Sequence, residues 1–209
     1  TGVRFWDGYS NPACVIGQMV SPGRLVIHNV CFDSGVGVRE LIGQQVMPLL
    51  NSPKYKGKIT TWRDIGDPSM RTPDQSSVAQ NTARVVEQML SAHFEPGPTR
   101  WHARLDPTVS AFTRLATDGR PLILLSATAY FLHRALNGGW HWKKDNNGNA
   151  IGATPVKDKF SHPGDALTYG VAELFPYEGE NRQYDESRQM SQKARMARAM
   201  SYSTARPGA

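Results

Sequence analysis

The sequence predicts an α/β domain built on a mixed sheet, with three antiparallel strands followed by parallel additions and flanking helices. Two observations carry this. The chain opens with three apolar runs joined by short turn signals, which is how antiparallel strands are connected. Strand-like and helix-like segments then alternate, the pattern of an α/β domain. A third observation bears on function. Two acids, Asp7 and Asp67, stand at the end of predicted strands, and strand ends are where sites collect in such sheets.

Residues 3–7 form the first predicted strand, ending in Asp7 and Gly8. A turn at residues 8–12 leads into a second strand at 13–19. Ser21-Pro22-Gly23-Arg24 is the next turn signal, and residues 25–32 form a third strand. Apolar spacing predicts a helix over 36–50, bent or ended by Pro48. A basic loop at 54–58 precedes a fourth strand that delivers Asp67. Further helices are predicted over 76–93, 107–116 and 128–136, with a fifth strand at 99–105 and a short extended run at 122–125. Trp140-His141-Trp142-Lys143-Lys144 reads as a strand running into a hairpin tip at Asn146-Asn147-Gly148.

The last predicted helix starts at Phe160-Ser161-His162-Pro163-Gly164-Asp165. Ser161 is the expected N-cap, Pro163 is tolerated in the first turn, and Leu167, Val171 and Leu174 give an apolar face. Asp165 is expected in the first turn. It is either a solvated acid favoured by the helix dipole or a partner for Asp7 and Asp67. Three carboxylates brought together repel unless a cation lies between them, and hard oxygen donors suit Mg2+ or Mn2+.

Composition narrows the setting. The chain has 209 residues with 24 Lys and Arg against 18 Asp and Glu, a formal charge of +6. Its pI is about 9.5 and its mean hydropathy −0.47. This balance favours a polyanionic partner. No apolar run is long enough to span a membrane, and no secretory signal pattern is present. Thr1 rather than Met begins the chain, so a domain from a longer protein is expected. Cys14 and Cys31 fall in predicted core strands without metal-ligand spacing, the pattern of buried reduced thiols. Residues 1–176 are expected to form one domain and 177–209 a basic tail, either disordered or a docking helix. The tail holds Arg182, Arg188, Lys193, Arg195, Arg198 and Arg206 against Asp185 and Glu186.

The element order matches the ribonuclease H-like fold. Taken in order, the motifs resemble the C-terminal nuclease domain of the large terminase subunit of tailed bacteriophages. They are Asp7 with Pro12-Ala13, Gly66-Asp67-Pro68, Gly138-Gly139-Trp140-His141-Trp142, and Phe160, Ser161, His162, Asp165, Ala166, Leu167 and Tyr169 at the late helix. Together they cover about residues 3–176. The resemblance implies a metal-dependent endonuclease that cuts double-stranded concatemeric DNA during packaging. Asp7, Asp67 and Asp165 would be its catalytic metal ligands, with one or two Mg2+ or Mn2+ ions. Some relatives carry a second acid beside the helix Asp, where this chain has Gly164. An upstream ATPase domain, the small terminase subunit and the portal protein are the implied partners, and the host cytoplasm the implied location. No G-x-x-x-x-G-K-[ST] stretch is present, so no ATP hydrolysis is expected of this chain.

Lys143, Lys144, Lys157 and Lys159 flank the predicted hairpin and the late helix. They either track DNA phosphates or form a solvated basic face. His162 is a candidate contact for the scissile phosphate or a ring packed at the helix start. A Holliday-junction-resolvase-like nuclease and a non-catalytic basic DNA-binding module remain alternatives.

Overall fold

The computed structural model describes residues 1–8, 11–73, 81–152 and 154–176. The basic tail predicted over 177–209 lies outside the described residues. Six strands make the main sheet. They are β1 (Gly2–Asp7), β2 (Ala13–Val20), β3 (Arg24–Phe32), β4 (Trp62–Gly66), β5 (Phe94–Pro96) and β6 (Ile123–Leu125), in the spatial order β5-β4-β1-β2-β3-β6. β1, β2 and β3 pair antiparallel. β4 pairs parallel to β1, β5 parallel to β4, and β6 parallel to β3. Three antiparallel strands with β4 and β5 added in parallel beside β1 are the ribonuclease H-like arrangement, and β6 extends its other edge.

Side chains alternate across a strand, so β1 feeds two cores. Val3 and Phe5 join Val15, Ile27 and Ile65 beneath one helical layer: α4 (Trp101–Thr113), α5 (Tyr130–Arg134) and α6 (Ser161–Leu174). Trp6 joins Cys14, Ile16 and Cys31 on the opposite face, covered by α1 (Val38–Leu41), α2 (Met47–Leu50) and α3 (Thr82–Leu90). The two cysteines are register partners across β2 and β3, both buried and free. Burial pushes the Cys31 thiol up to about 12 and Cys14 well above its ordinary value. No helix among the described residues is long and apolar enough to cross a membrane.

Several elements differ from the sequence expectation. Residues 99–105 are not a strand. The fifth strand is the three-residue β5, paired with Asp64, Ile65 and Gly66, and too short to show a period of two. α4 begins at Trp101 and runs through Pro107, which cannot supply the N–H of a helical bond. The helix over 36–50 starts at Val38 and also passes its proline. A π turn (Ile42–Val46) joins α1 to α2 with helical backbone throughout, and Pro48 follows it inside this continuous run. Of the helix expected over 76–93, the described part is α3, capped by Asn81, whose side chain accepts the Arg84 N–H. α5 is followed by another π turn (Ala135–Gly139). In the predicted 140–144 strand only Lys143–Lys144 is extended, paired as β7 with β8 (Ala150–Ile151).

Candidate active site

Asp7 ends β1 on the α6 side, because it continues the Val3, Phe5 alternation. Gly66 pairs with Trp6 across the parallel β1–β4 ladder, and the Asp67 N–H donates to the Trp6 carbonyl at 3.1 Å. Register therefore sets Asp7 and Asp67 at the same end of adjacent strands. Asp67 also caps the 3-10 turn that follows (Pro68–Arg71), accepting the Ser69 N–H at 2.8 Å.

α6 brings the third carboxylate. It lies so close to β1 that a Cβ on Gly170 would stand 1.9 Å from the Phe5 ring, so only glycine permits this approach. Asp165 is 3 % exposed, which rules out the solvated first-turn acid. It also lies beyond the first turn, and Ser161 is the first helical residue rather than the cap. The capping role falls to Asp158, whose carboxylate accepts the N–H groups of Phe160 and Ser161 at 2.8 and 3.1 Å. Gly164, beside Asp165, has a steric reason. A Cβ there would meet the Trp140 ring at 2.5 Å.

The electrostatics tie the three acids together. Burial raises the Asp7 pKa. The hydrogen bond from His162 opposes this, and the charges of Asp165 and Asp67 raise it further. Tyr169 lies beside the same acids. Burial pushes its phenol far up; the charge of Arg104 opposes this and those of Asp67, Asp7 and Asp165 add to it, so the hydroxyl stays neutral.

Each of the two buried acids has protein partners. His162 Nδ1 lies 2.9 Å from Asp7 Oδ2, and its ring stacks on Phe32. The Lys157 ammonium pairs with Asp165 Oδ2, and Arg104 Nη1 lies 3.9 Å from Asp165 Oδ1. Arg104 is buried between aromatic rings, with its guanidinium carbon 4.0 Å from the Tyr169 ring centroid and 5.0 Å from that of Trp101. Sequence reasoning misses Arg104 and Tyr169 as site neighbours. Arg104 sits in a segment expected to be strand, and Tyr169 enters only as part of a motif.

The remaining predicted residues are more dispersed. Lys143 and Lys144 are exposed on the small β7–β8 ribbon. Lys159 lies over the Phe160 ring, 5.2 Å from its centroid. Trp140 and Trp142 both meet Trp101 edge-on, which makes them packing residues. Asp64 is no spare surface acid. It is fully buried, bound by Arg4 Nε at 2.8 Å and Nη2 at 2.6 Å and by Trp6 Nε1 at 2.8 Å.

The donor set has the chemistry of a hard-cation site: carboxylate oxygens, with the charges of Asp165 and Asp67 raising the proton affinity of Asp7, and Asp165 already holding an ammonium. Among the described residues no group of three Asp, Glu, His or Cys side chains stands ready to hold an ion. His162 is the partner of Asp7, and Lys157 and Arg104 are the partners of Asp165.

No family model and no curated protein matches the sequence. Two solved structures are similar in fold. One is the large terminase nuclease domain from the bacteriophage SPP1 with bound Mn, at 16% identity and TM-score 0.47, covering 81% of this chain and 84% of that one. The other is the yeast mitochondrial Holliday junction resolvase Ydc2, at 12% identity and TM-score 0.38, covering 82% of this chain and 77% of that one.

Proposed function

We propose that this chain is a divalent-metal-dependent DNA endonuclease, the nuclease domain of a viral packaging terminase that cuts double-stranded concatemeric DNA. The observation that supports this reading most is that Asp7 and Asp67 end adjacent parallel strands and that α6 brings Asp165 near enough for its charge to act on the buried Asp7. The charges of Asp165 and Asp67 both act on Asp7, although the three acids come from distant parts of the chain. The terminase assignment rests further on the four sequence motifs in their order. It brings with it an upstream ATPase domain, the small subunit and the portal protein as partners in the host cytoplasm.

Asp7, Asp67 and Asp165 would hold Mg2+ or Mn2+, which activates water and neutralises charge on the phosphate when bound. The protein's own groups do the rest. β1 and β4 fix the Asp7 and Asp67 backbones by register. His162 orients the Asp7 carboxylate, and its partly exposed ring would meet a phosphate oxygen. Arg104 holds Asp165 from behind. Tyr169, kept protonated, supports the Arg104 guanidinium with its ring face. Lys157, exposed along most of its length, is in reach of a substrate phosphate once it leaves Asp165.

The test is plasmid relaxation. Wild-type protein is expected to nick or linearise supercoiled DNA with Mg2+ or Mn2+ and to do nothing in chelator. Asp7→Asn removes a ligand charge with little change in volume, so it should reduce cleavage to background while the protein stays folded. Wild-type cleavage by Asp7→Asn contradicts the assignment. Preference for a four-way junction over linear duplex would favour a resolvase, and absence of metal-dependent nicking in wild type would favour a non-catalytic DNA-binding module.

A further inference from the structure

We infer that the outer face of α5, together with the start of α6, is a ledge that binds unpaired nucleotides, with Tyr130 as a base-stacking platform and Arg134 and Lys159 as phosphate contacts. The inference rests on the nuclease reading for its choice of nucleic acid as partner, and it adds a substrate feature: a single-stranded or frayed segment beside the cut.

A line of rings leads from the acids to this ledge. His162, hydrogen-bonded to Asp7, stacks on Phe32 with ring centroids 6.2 Å apart and planes 18° apart. Phe32 stacks on Phe131 at 5.0 Å, and Phe131 leans on Phe160 at 5.2 Å. Phe32 and Phe160 are half-buried and pack on the core, and Phe131, also half-buried, is held between them. At the outer end the character changes. Tyr130 is 64% exposed, so much of its ring is open to solvent. Arg134, one helical turn on, lies over both Tyr130 and Phe160, 5.9 and 5.6 Å from their centroids. Lys159 lies over Phe160. The neighbouring acid, Asp158, turns its carboxylate toward the N–H groups at the start of α6.

An exposed ring backed by a guanidinium, with a second cation close by, matches a nucleotide. The base stacks on the open ring face and the phosphate meets the cations. In an intact duplex each base face is covered by its neighbours, so Tyr130 gains nothing from paired DNA. The ledge therefore discriminates by base accessibility, whereas phosphate contacts alone do not.

The test is fluorescence anisotropy in chelator, which prevents cleavage, using the full chain. The probes are a labelled single strand, the same sequence as blunt duplex, and a forked duplex. Tyr130→Ala is expected to weaken single-strand and forked binding about tenfold and to leave blunt-duplex binding unchanged. Tyr130→Phe should restore wild-type binding. Arg134→Gln should weaken binding to all three probes and flatten the log–log salt slope on single strands by about 0.7. Because Tyr130 is exposed, Tyr130→Ala is expected to melt with the wild type. Unchanged single-strand binding by Tyr130→Ala, or equal losses on single strand and blunt duplex, overturns the ledge. Plasmid nicking by wild type is scored separately. Nicking with no Tyr130 effect overturns the ledge and keeps the nuclease. The Tyr130 effect without nicking supports the ledge and sinks the nuclease reading.

Discussion

Arg4 and Asp7 lie on one strand, and Asp64 lies in and Asp67 just past the strand beside it, yet the two faces of this strand pair treat charge in opposite ways. On the α1–α3 face, Arg4 and Asp64 are both buried and meet through two hydrogen bonds, with the Trp6 indole as a third partner. That face is balanced: one cation, one anion, and donors to match. On the α4–α6 face, Asp7 feels the charges of Asp67 and Asp165, so anions outnumber the cations built into the floor. Arg104 stands at 3.9 Å from its acid, and the other cation, Lys157, comes from an exposed side chain. A buried pair that is internally matched needs nothing from outside. A cluster with excess negative charge, closed by a removable ammonium, is matched only when a further cation arrives. Similar residues, three positions apart, thus serve structure on one face and chemistry on the other.

Breaking the balanced face should have the largest effect on stability. Arg4→Met leaves the Asp64 carboxylate buried with no countercharge, and the expected loss is about 3–5 kcal/mol. Asp7→Asn on the other face relieves like-charge repulsion and should cost far less. Urea unfolding of the two variants side by side checks this, and similar losses for both would erase the distinction between the faces.

A smaller effect is expected from Lys143 and Lys144. They stand on the exposed β7–β8 ribbon. Changing both to Gln should weaken binding of every duplex sequence alike and flatten the log–log salt slope by about 0.9 for each phosphate that these lysines neutralise. Stability should not change. An unchanged salt slope would make the ribbon a solvated face.

Much of this contrast is legible in the sequence. Asp7 and Asp67 stand out because each ends an apolar run at a turn, and the strand period that puts Asp7 on the side of Phe5 is simple alternation. The three opening strands are readable for the same reason. What cannot be read depends on packing between distant segments. β5 is three residues long and exists through pairing with β4. α4 carries a proline in mid-helix, which local rules read as a start. Asp64 looks like one more acid because its partner, Arg4, is 60 residues away. Asp165 reads as a first-turn residue when Ser161 is the cap, but Asp158 fills that role from outside the helix. The close approach of α6 needs Gly170, whose meaning emerges only against Phe5.

If the acids on the α6 face await a divalent cation, an anomalous difference map from a crystal soaked in Mn2+ shows it most directly. The expected result is a peak bound by Asp7, Asp67 and Asp165, with the Lys157 ammonium displaced from Asp165 and the Arg4–Asp64 pair unmoved. Carboxylates that keep His162 and Lys157 as partners at saturating Mn2+, with no peak between them, would contradict the metal site and the nuclease reading built on it.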